Sequence, residues 1–356
     1  MHDLESLGWS EFFETSFQSY RERGHFAGRV AVEERGAYRL YTEHGEIGAR
    51  IRGKLRFDSE SAADFPAVGD WVALSRRERD GLVQIEAVLP RRSKFSRKAA
   101  GAVSDEQVVA ANVDTVFLLQ GLDHDFNLRR IERYLVAAFE SNASPVVILS
   151  KADLCEDAHN KILEAESVAP GTPVHAISSV SGQGLAELDQ YVLPGVTVAF
   201  LGSSGAGKST LINRIVGEDI QKTAEVRKHD SRGRHTTRHR ELIVLKTGGL
   251  LIDTPGMREL QLWDAGGSLS EAFSDVESIA AACYFTNCRH QNEPGCAVRE
   301  ALADGSLDAA RYESYVKLER EMEYLDSRMD ERLNLKRKNR EKKIHRAYRM
   351  IKNRRT

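Results

Sequence analysis

Hydrophobic and polar positions change rhythm twice along this chain. The first 23 residues set Leu4, Leu7, Phe12, Phe13 and Phe17 among acids and serines, which predicts a short helical or irregular lead-in with aromatics to bury. From residue 24 the rhythm is short and two-fold. Gly24–Val32, Ala37–Tyr41, Gly45–Gly53, Val68–Leu74 and Leu82–Leu89 read as strands parted by glycine-containing turns. Five strands in so short a stretch predict a small closed β-barrel, and an OB-fold has that strand number. Arg50, Arg52, Lys54 and Arg56 alternate through the end of the third run and just past it. On a strand they would share one face, either a nucleic-acid surface or an ordinary solvated one. Pro90–Lys98 is a basic exit from the barrel, and the small, polar stretch to Asn112 reads as a linker.

From Val113 the rhythm becomes that of alternating strands and helices. Val113–Leu119, Pro145–Leu149, Val174–Ile177 and Val196–Leu201 are apolar strand runs. Leu128, Ile131, Leu135 and Ala138 recur at helical spacing behind Asn127, a candidate N-cap. Leu242–Leu245 and Leu250–Ile252 flank Thr247-Gly248-Gly249, a hairpin signal. The pattern predicts a mostly parallel α/β sheet with helices on both faces. Beyond Cys296, Tyr315, Leu318, Met322 and Leu325 form another helical stripe, with Ser306 a candidate N-cap.

Composition adds limits. The 356 residues call for two or three domains. There is no 18-residue apolar run and no basic-then-apolar leader, so a cytoplasmic protein without membrane contact is expected. The net charge of -2 hides an asymmetry. Lys336–Arg355 holds eleven Lys or Arg against one Glu, the footprint of a tail that meets nucleic acid.

The chemistry centres on Gly202-Ser203-Ser204-Gly205-Ala206-Gly207-Lys208-Ser209-Thr210. This stretch matches G-x-x-x-x-G-K-[ST] between a strand and a helix, the setting of a phosphate-binding P-loop. Its N–H groups and the helix N-terminus suit a polyphosphate. Lys208 would reach the β- and γ-phosphates and Ser209 would bind Mg²⁺. Asp253-Thr254-Pro255-Gly256 follows a buried strand, as in the switch region of GTPases. There the Asp serves Mg²⁺ and the Gly N–H meets the γ-phosphate. Ser150-Lys151-Ala152-Asp153 is similar to the guanine-reading N-K-x-D box, with Ser150 in place of Asn and so a shorter polar tether. Asp153 would accept the guanine N1–H and 2-amino hydrogens. Ser178-Ser179 resembles the box that supports guanine O6 from the backbone.

The base-reading boxes precede the P-loop here, and the Asp253 box comes last, so the domain is a circularly permuted GTPase. Between P-loop and Asp253 lies the polar, basic stretch Arg227–Arg240, which fits a switch loop. Thr236 or Thr237 would supply a hydroxyl to Mg²⁺. Met257 stands where many GTPases carry a water-orienting Gln, and His235 is the nearest suitable group. Cys283, Cys288, His290 and Cys296 form a compact Cys₃His set, expected to close around one structural Zn²⁺. Cys155 lies apart from them. Two rival readings are a P-loop ATPase or kinase, which Asp153 opposes, and an RNA-binding scaffold with a vestigial site, which intact Lys208, Ser209 and Asp253 oppose.

The barrel, the permuted boxes, Gly233-Arg234-His235-Thr236-Thr237 and the Cys₃His set together resemble the ribosome small-subunit-dependent GTPase A family (RsgA, also called YjeQ), over about residues 4–325. The resemblance implies that the barrel and zinc domain bind the 30S subunit and its 16S rRNA. It also implies that GTP hydrolysis to GDP accompanies late 30S maturation and is stimulated by the subunit. It makes His235 the hydrolysis-promoting residue. The expected architecture is multidomain. A lead-in (1–23), an OB-fold barrel (24–98) and a linker (99–112) precede the permuted GTPase domain (113–275), a zinc-binding helical domain (276–330) and a basic tail (331–356). A monomer is expected.

Overall fold

A computed structural model describes residues 3–34, 36–59, 61–76, 82–98, 106–217, 240–253, 267–325 and 327. The chain divides into two units, Met1–Gln261 and Leu262–Thr356. Among the described residues no helix is long and apolar enough to cross a membrane.

The first unit opens with helix α1 (Glu11–Arg21), which buries Phe13 and Phe17. Trp9 lies edge-on to Trp71 at 4.7 Å between ring centroids, so the lead-in is fastened to the barrel by aromatic packing. Strands β1 (Phe26–Glu34), β2 (Ala37–Thr42), β3 (Gly45–Ile51), β4 (Trp71–Arg76) and β5 (Val83–Val88) follow. β1 pairs with β2, β2 with β3, β3 runs parallel to β5, β5 pairs with β4, and β4 returns to β1. The sheet therefore closes, as the five-strand expectation required. Val30, Leu40, Val72, Leu74 and Ile85 fill it.

The four alternating cations do not share a strand face. β3 stops at Ile51, Arg52 precedes helix α2 (Gly53–Asp58), and Lys54 and Arg56 lie on that helix. The reason is Leu55, which packs against the barrel core between them. Arg52 is tied to Glu86 on β5. The stretch read as a linker also carries structure. β6 (Lys94–Lys98) and β7 (Glu106–Ala111) pair as an antiparallel ribbon, because Val108 to Ala111 have an apolar surface to bury.

Strands β8 (Thr115–Gly121), β9 (Ser144–Ser150), β10 (Val174–Ala176), β11 (Thr197–Gly202), β12 (Glu241–Val244) and β13 (Leu250–Asp253) lie in the order β10-β9-β8-β11-β13-β12. All neighbours are parallel except β12 with β13, which form the hairpin expected around Gly248-Gly249. Helices α3 (Leu128–Glu140), α4 (Ala158–Val168) and α5 (Lys208–Val216) alternate with these strands along the chain. Asn127 caps α3 by accepting the Arg130 N–H at 3.1 Å. Phe117, Ile148, Val198, Phe200, Leu211 and Ile212 share one core. β12 also pairs with β1, Val32 opposite Glu241, so barrel and α/β sheet form one eleven-stranded sheet.

The second unit contains α6 (Ser268–Ala272), α7 (Ser274–Ala280) and α8 (Ala297–Asp304), and residues 309–325 are also helical. Leu318 and Met322 of the predicted stripe are buried. The N-cap is Asp308 rather than Ser306. Asp308 accepts the Arg311 N–H at 2.7 Å, while the Ser306 N–H is engaged by Asp304 at 2.9 Å. Arg311, buried over the Phe273 ring, holds Asp275 through two hydrogen bonds of 2.6 Å.

Arg29 of β1 sits where lead-in, barrel, ribbon and α/β sheet meet, and it is 1% exposed. Its guanidinium donates to the carbonyls of Leu7, Gly69 (3.2 Å) and Asn112 (3.0 Å) and to Thr197 Oγ1 (2.8 Å). Replacing it with Met removes the guanidinium donor from Leu7 O, Asn112 O and Thr197 Oγ1, while Gly69 O keeps the Asn112 Nδ2–H at 3.1 Å. Arg29→Met is expected to lose about 3 kcal/mol of stability in urea unfolding, and a loss below about 1 kcal/mol would show that the contacts are incidental.

Candidate functional site

The phosphate loop is shaped by two glycines. β11 ends at Gly202, and Gly205 and Gly207 take φ values of +87° and +85°, a backbone that other residues adopt only with strain. The chain thereby turns into α5, whose first residue is Lys208. Lys208, Ser209 and Thr210 are half-buried, and Ser204 and Gly205 are exposed. The N–H groups of a helix N-terminus and a lysine at its first position are what an anionic polyphosphate needs.

Two strands away, β9 ends at Ser150. Its hydroxyl donates to Ala206 O at 2.6 Å, so the shorter serine still ties this turn to the phosphate loop. Lys151 follows with φ +61°, and Asp153 lies exposed in the next turn. The Ala152 N–H donates to Ile177 O at 3.0 Å, linking this turn to the one after β10. There Ser178 is buried and accepts the N–H groups of Val180 (3.2 Å) and Ser181 (3.0 Å). Ser179 beside it is half-buried. On the other flank of β11, β13 ends at Asp253, which is 5% exposed. The loop Gly202–Ser209, Ser150–Asp153, Ser178-Ser179 and Asp253 thus gather at the C-terminal edge of the parallel strands, where open α/β sheets bind ligands. His235, Thr236, Thr237 and Gly256 lie outside the described residues.

Some site residues were not foreseen. The turn between β8 and α3 brings Asp125 to Ser203, whose hydroxyl donates to Asp125 Oδ2. It also brings Asp123 to Lys151, Nζ to Oδ2 at 2.5 Å. Burial works to raise the Asp123 carboxyl. The Lys151 hydrogen bond, the Asp125 N–H and the lysine charge outweigh it and hold the group below its ordinary value. The available sequence signal was the D-x-D spacing just ahead of the Asn127 cap.

In the second unit Cys283, Cys288, His290 and Cys296 bring their donor atoms within 4.8 Å of one another. His290 Nδ1 lies 3.6 Å from Cys283 Sγ and 3.4 Å from Cys296 Sγ, and those two sulfurs are 4.0 Å apart. Tetrahedral zinc with Zn–S bonds of about 2.3 Å sets its donors roughly 3.5–3.8 Å apart, so the cluster fits one zinc. Local structure supports it. Glu293 accepts the N–H groups of Arg289 (3.0 Å), Gln291 (2.9 Å) and Asn292 (3.0 Å). Together with its own N–H they bring its carboxyl down to about 2. The Tyr284 N–H donates to Gly295 O at 3.0 Å and closes the knuckle.

A family model described as RsgA GTPase matches residues 88–263. A protein of Opitutus terrae named small ribosomal subunit biogenesis GTPase RsgA is 49% identical over 355 residues, 97% of either chain. This chain belongs to the RsgA family of GTPases. An RsgA 2 protein of Lactiplantibacillus plantarum is 47% identical over 89% of this chain and 90% of its own. The solved structure of YjeQ from Thermotoga maritima matches with a TM-score of 0.63 and 29% identity, over 84% of this chain and 98% of that one. YloQ, described as a circularly permuted GTPase, matches with a TM-score of 0.61 and 26% identity, over 84% of this chain and 95% of that one. In this RsgA chain the permutation is visible as sheet order. The phosphate-loop strand β11 is fourth of six in the chain, yet it lies between β8 and β13.

The Cys₃His cluster yields a prediction. Elemental analysis of purified protein is expected to find about one zinc per chain. Stripping it with a chelator should raise amide exchange across 283–296 while leaving 113–217 protected, since structural zinc contributes folding free energy where it binds. Unchanged exchange after complete removal would show the cluster to be self-supporting.

Proposed function

We propose that this chain is a GTP hydrolase that binds the 30S ribosomal subunit, contacts 16S rRNA and acts in late small-subunit maturation, with turnover stimulated by the subunit. One observation carries the reading. The Ser150 hydroxyl fastens a guanine-type turn, with Asp153 exposed at its end, onto the phosphate loop at Ala206. Relatives nearly half identical over almost the whole chain are named for small-subunit biogenesis and support the ribosomal part.

In this reading the N–H groups of Ser203 to Thr210 and the Lys208 ammonium bind the phosphates. Lys208 also stabilises charge that develops as the β–γ bond breaks. The Asp153 carboxylate pairs with guanine N1–H and the 2-amino group, the Lys151 stem lies on the base, and Ser178-Ser179 supports O6. The Gly256 N–H meets the γ-phosphate. Ser209, Asp253 and Thr236 or Thr237 offer hard oxygen ligands that would hold Mg²⁺, which neutralises phosphate charge when bound. His235 orients the attacking water. The barrel (24–98) and the zinc-binding domain (276–330), whose zinc is structural, are the rRNA-binding parts beside the GTPase domain (113–275). The basic tail (331–356) adds charge. The protein works as a cytoplasmic monomer.

Two experiments test this. Wild type should bind fluorescent GTP in strong preference to fluorescent ATP, and Asp153→Ala should lose at least about a hundredfold of that preference. Retained preference in the variant would remove Asp153 from the base-reading role. In a phosphate-release assay, 30S subunits should accelerate GTP hydrolysis. His235→Ala should lower the stimulated rate about a hundredfold with GTP affinity near normal, whereas equal losses of binding and turnover would reject a catalytic role.

A further inference from the structure

The turn between β8 and α3 has no place in the guanine-nucleotide reading, yet its side chains reach both halves of that site. We infer that Asp125 and Asp123 are positioning residues for nucleotide binding, Asp125 fixing the phosphate loop through Ser203 and Asp123 fixing the guanine-side Lys151. This inference rests on the proposed GTP site.

Asp125 is held by nearly every polar atom it has. Its Oδ1 is 2.7 Å from Arg130 Nη1, and its Oδ2 accepts the Ser203 hydroxyl. Its carbonyl accepts the side-chain amide of Gln120 and Arg130 Nη1 (3.3 Å), and its N–H donates to Asp123 Oδ1 (3.1 Å). Gln120 is a buried residue of β8 and Arg130 lies in the first turn of α3, so the carboxylate is anchored on two rigid elements. The phosphate loop is then tied at two points, Ser203 by Asp125 and Ala206 by Ser150, on either side of Gly205. A serine at position 150 has only one short arm for this task, and Asp125 supplies the second tether.

Asp123 does the equivalent for the base side. Lys151 is a non-glycine residue at φ +61°, a conformation kept only where its surroundings enforce it. Its ammonium is held at 2.5 Å by Asp123 Oδ2. Gly121 makes the room, since a Cβ there would stand 2.8 Å from Asp123 Oδ1 and 3.6 Å from Lys151 Nζ. A carboxylate close to a polyphosphate repels it unless neutralised. Each of these two has a cation as partner, Arg130 for Asp125 and Lys151 for Asp123. One turn thus sets the spacing between phosphate loop and base-side turn.

The test is titration of full-length protein with fluorescent GDP. Asp125→Ala and Ser203→Ala should each weaken binding about tenfold, as loss of a charge-assisted hydrogen bond implies. The double variant should be no weaker than the weaker single, because both remove one contact. Asp125→Asn keeps an acceptor for Ser203 and should stay within about threefold of wild type. Asp123→Ala should weaken GDP and inosine diphosphate by the same factor, because Lys151 packs on the ring and does not read the 2-amino group. A merely structural role predicts a lower melting temperature of the nucleotide-free variants with the GDP affinity of the folded protein unchanged. Additive losses, or an unchanged GDP affinity in Asp125→Ala, would overturn the inference. If Asp125→Ala does not fold, Ser203→Ala alone reads the same contact, and unchanged affinity there overturns it equally. A wild-type protein that binds no guanine nucleotide would reject the GTP-site reading itself.

Discussion

A single buried cation fixes how the first unit is put together. Among the described residues Arg29 has no carboxylate in direct contact, and burial brings its guanidinium down to about 10 against the opposing pull of Asp114. It remains charged at neutral pH, so its removal from water must be offset by hydrogen bonds. They come from Leu7 in the lead-in, Gly69 ahead of β4, Asn112 after the ribbon and Thr197 at the start of β11. A guanidinium is planar, so its acceptors must converge in one plane, and lysine could not impose that geometry. Gly69 shows how close the approach is. It sits at φ +90°, and a Cβ there would run into Ala111 O.

The same junction makes barrel and nucleotide sheet continuous. β1 belongs to the barrel through β2 and β4 and to the α/β sheet through β12. Two side-chain contacts from β2 reinforce the seam. Arg39 reaches Glu241 at 2.8 Å, and the Tyr41 hydroxyl donates to Leu242 O at 3.3 Å. β12 begins just after the basic stretch read as a switch loop, and its hairpin partner β13 ends at Asp253. Among the described residues the barrel therefore joins the α/β sheet at the end opposite β10, through the strand pair that leads to Asp253.

What the sequence disclosed follows interaction range. The phosphate loop, the hairpin at Gly248-Gly249, the Asn127 cap and the Cys₃His set are encoded by residues within a few positions of one another, and periodicity or spacing exposes them. The errors came where a distant partner decides. Arg52 to Arg56 alternate like a strand, but Leu55 is needed in the barrel core and draws the run into a helix. The β6–β7 ribbon was hidden because Lys94, Lys98, Glu106, Ala110 and Ala111 carry little strand signal until a partner strand is supplied. Ser306 and Asp308 are both N-cap residue types, and only the backbone path chose between them. Asp123 and Asp125 matter because of Lys151 and Ser203, 28 and 78 positions away. No local pattern announces such pairs.

Permutation gives these couplings a covalent route. In an unpermuted GTPase the chain enters by the phosphate-loop strand and leaves beyond the base-reading boxes, so a domain appended at the end follows the guanine side. In this chain β8 follows the barrel and ribbon, and β13 ends at Asp253 shortly before the second unit begins at Leu262. The segment between Asp253 and that unit contains Gly256, the expected γ-phosphate contact. The chain continues from that segment into the unit that holds the Cys₃His cluster, and the β1–β12 pairing joins the β12–β13 hairpin to the barrel. The turn after β9 is secured to the phosphate loop by Ser150 and to the β8–α3 turn by Asp123, and β8 leads back along the chain to the ribbon and the barrel. Cutting and rejoining the chain thus keeps a GTPase sheet while placing the start of β8 next to the barrel and ribbon in sequence, and the end of β13 next to the second unit.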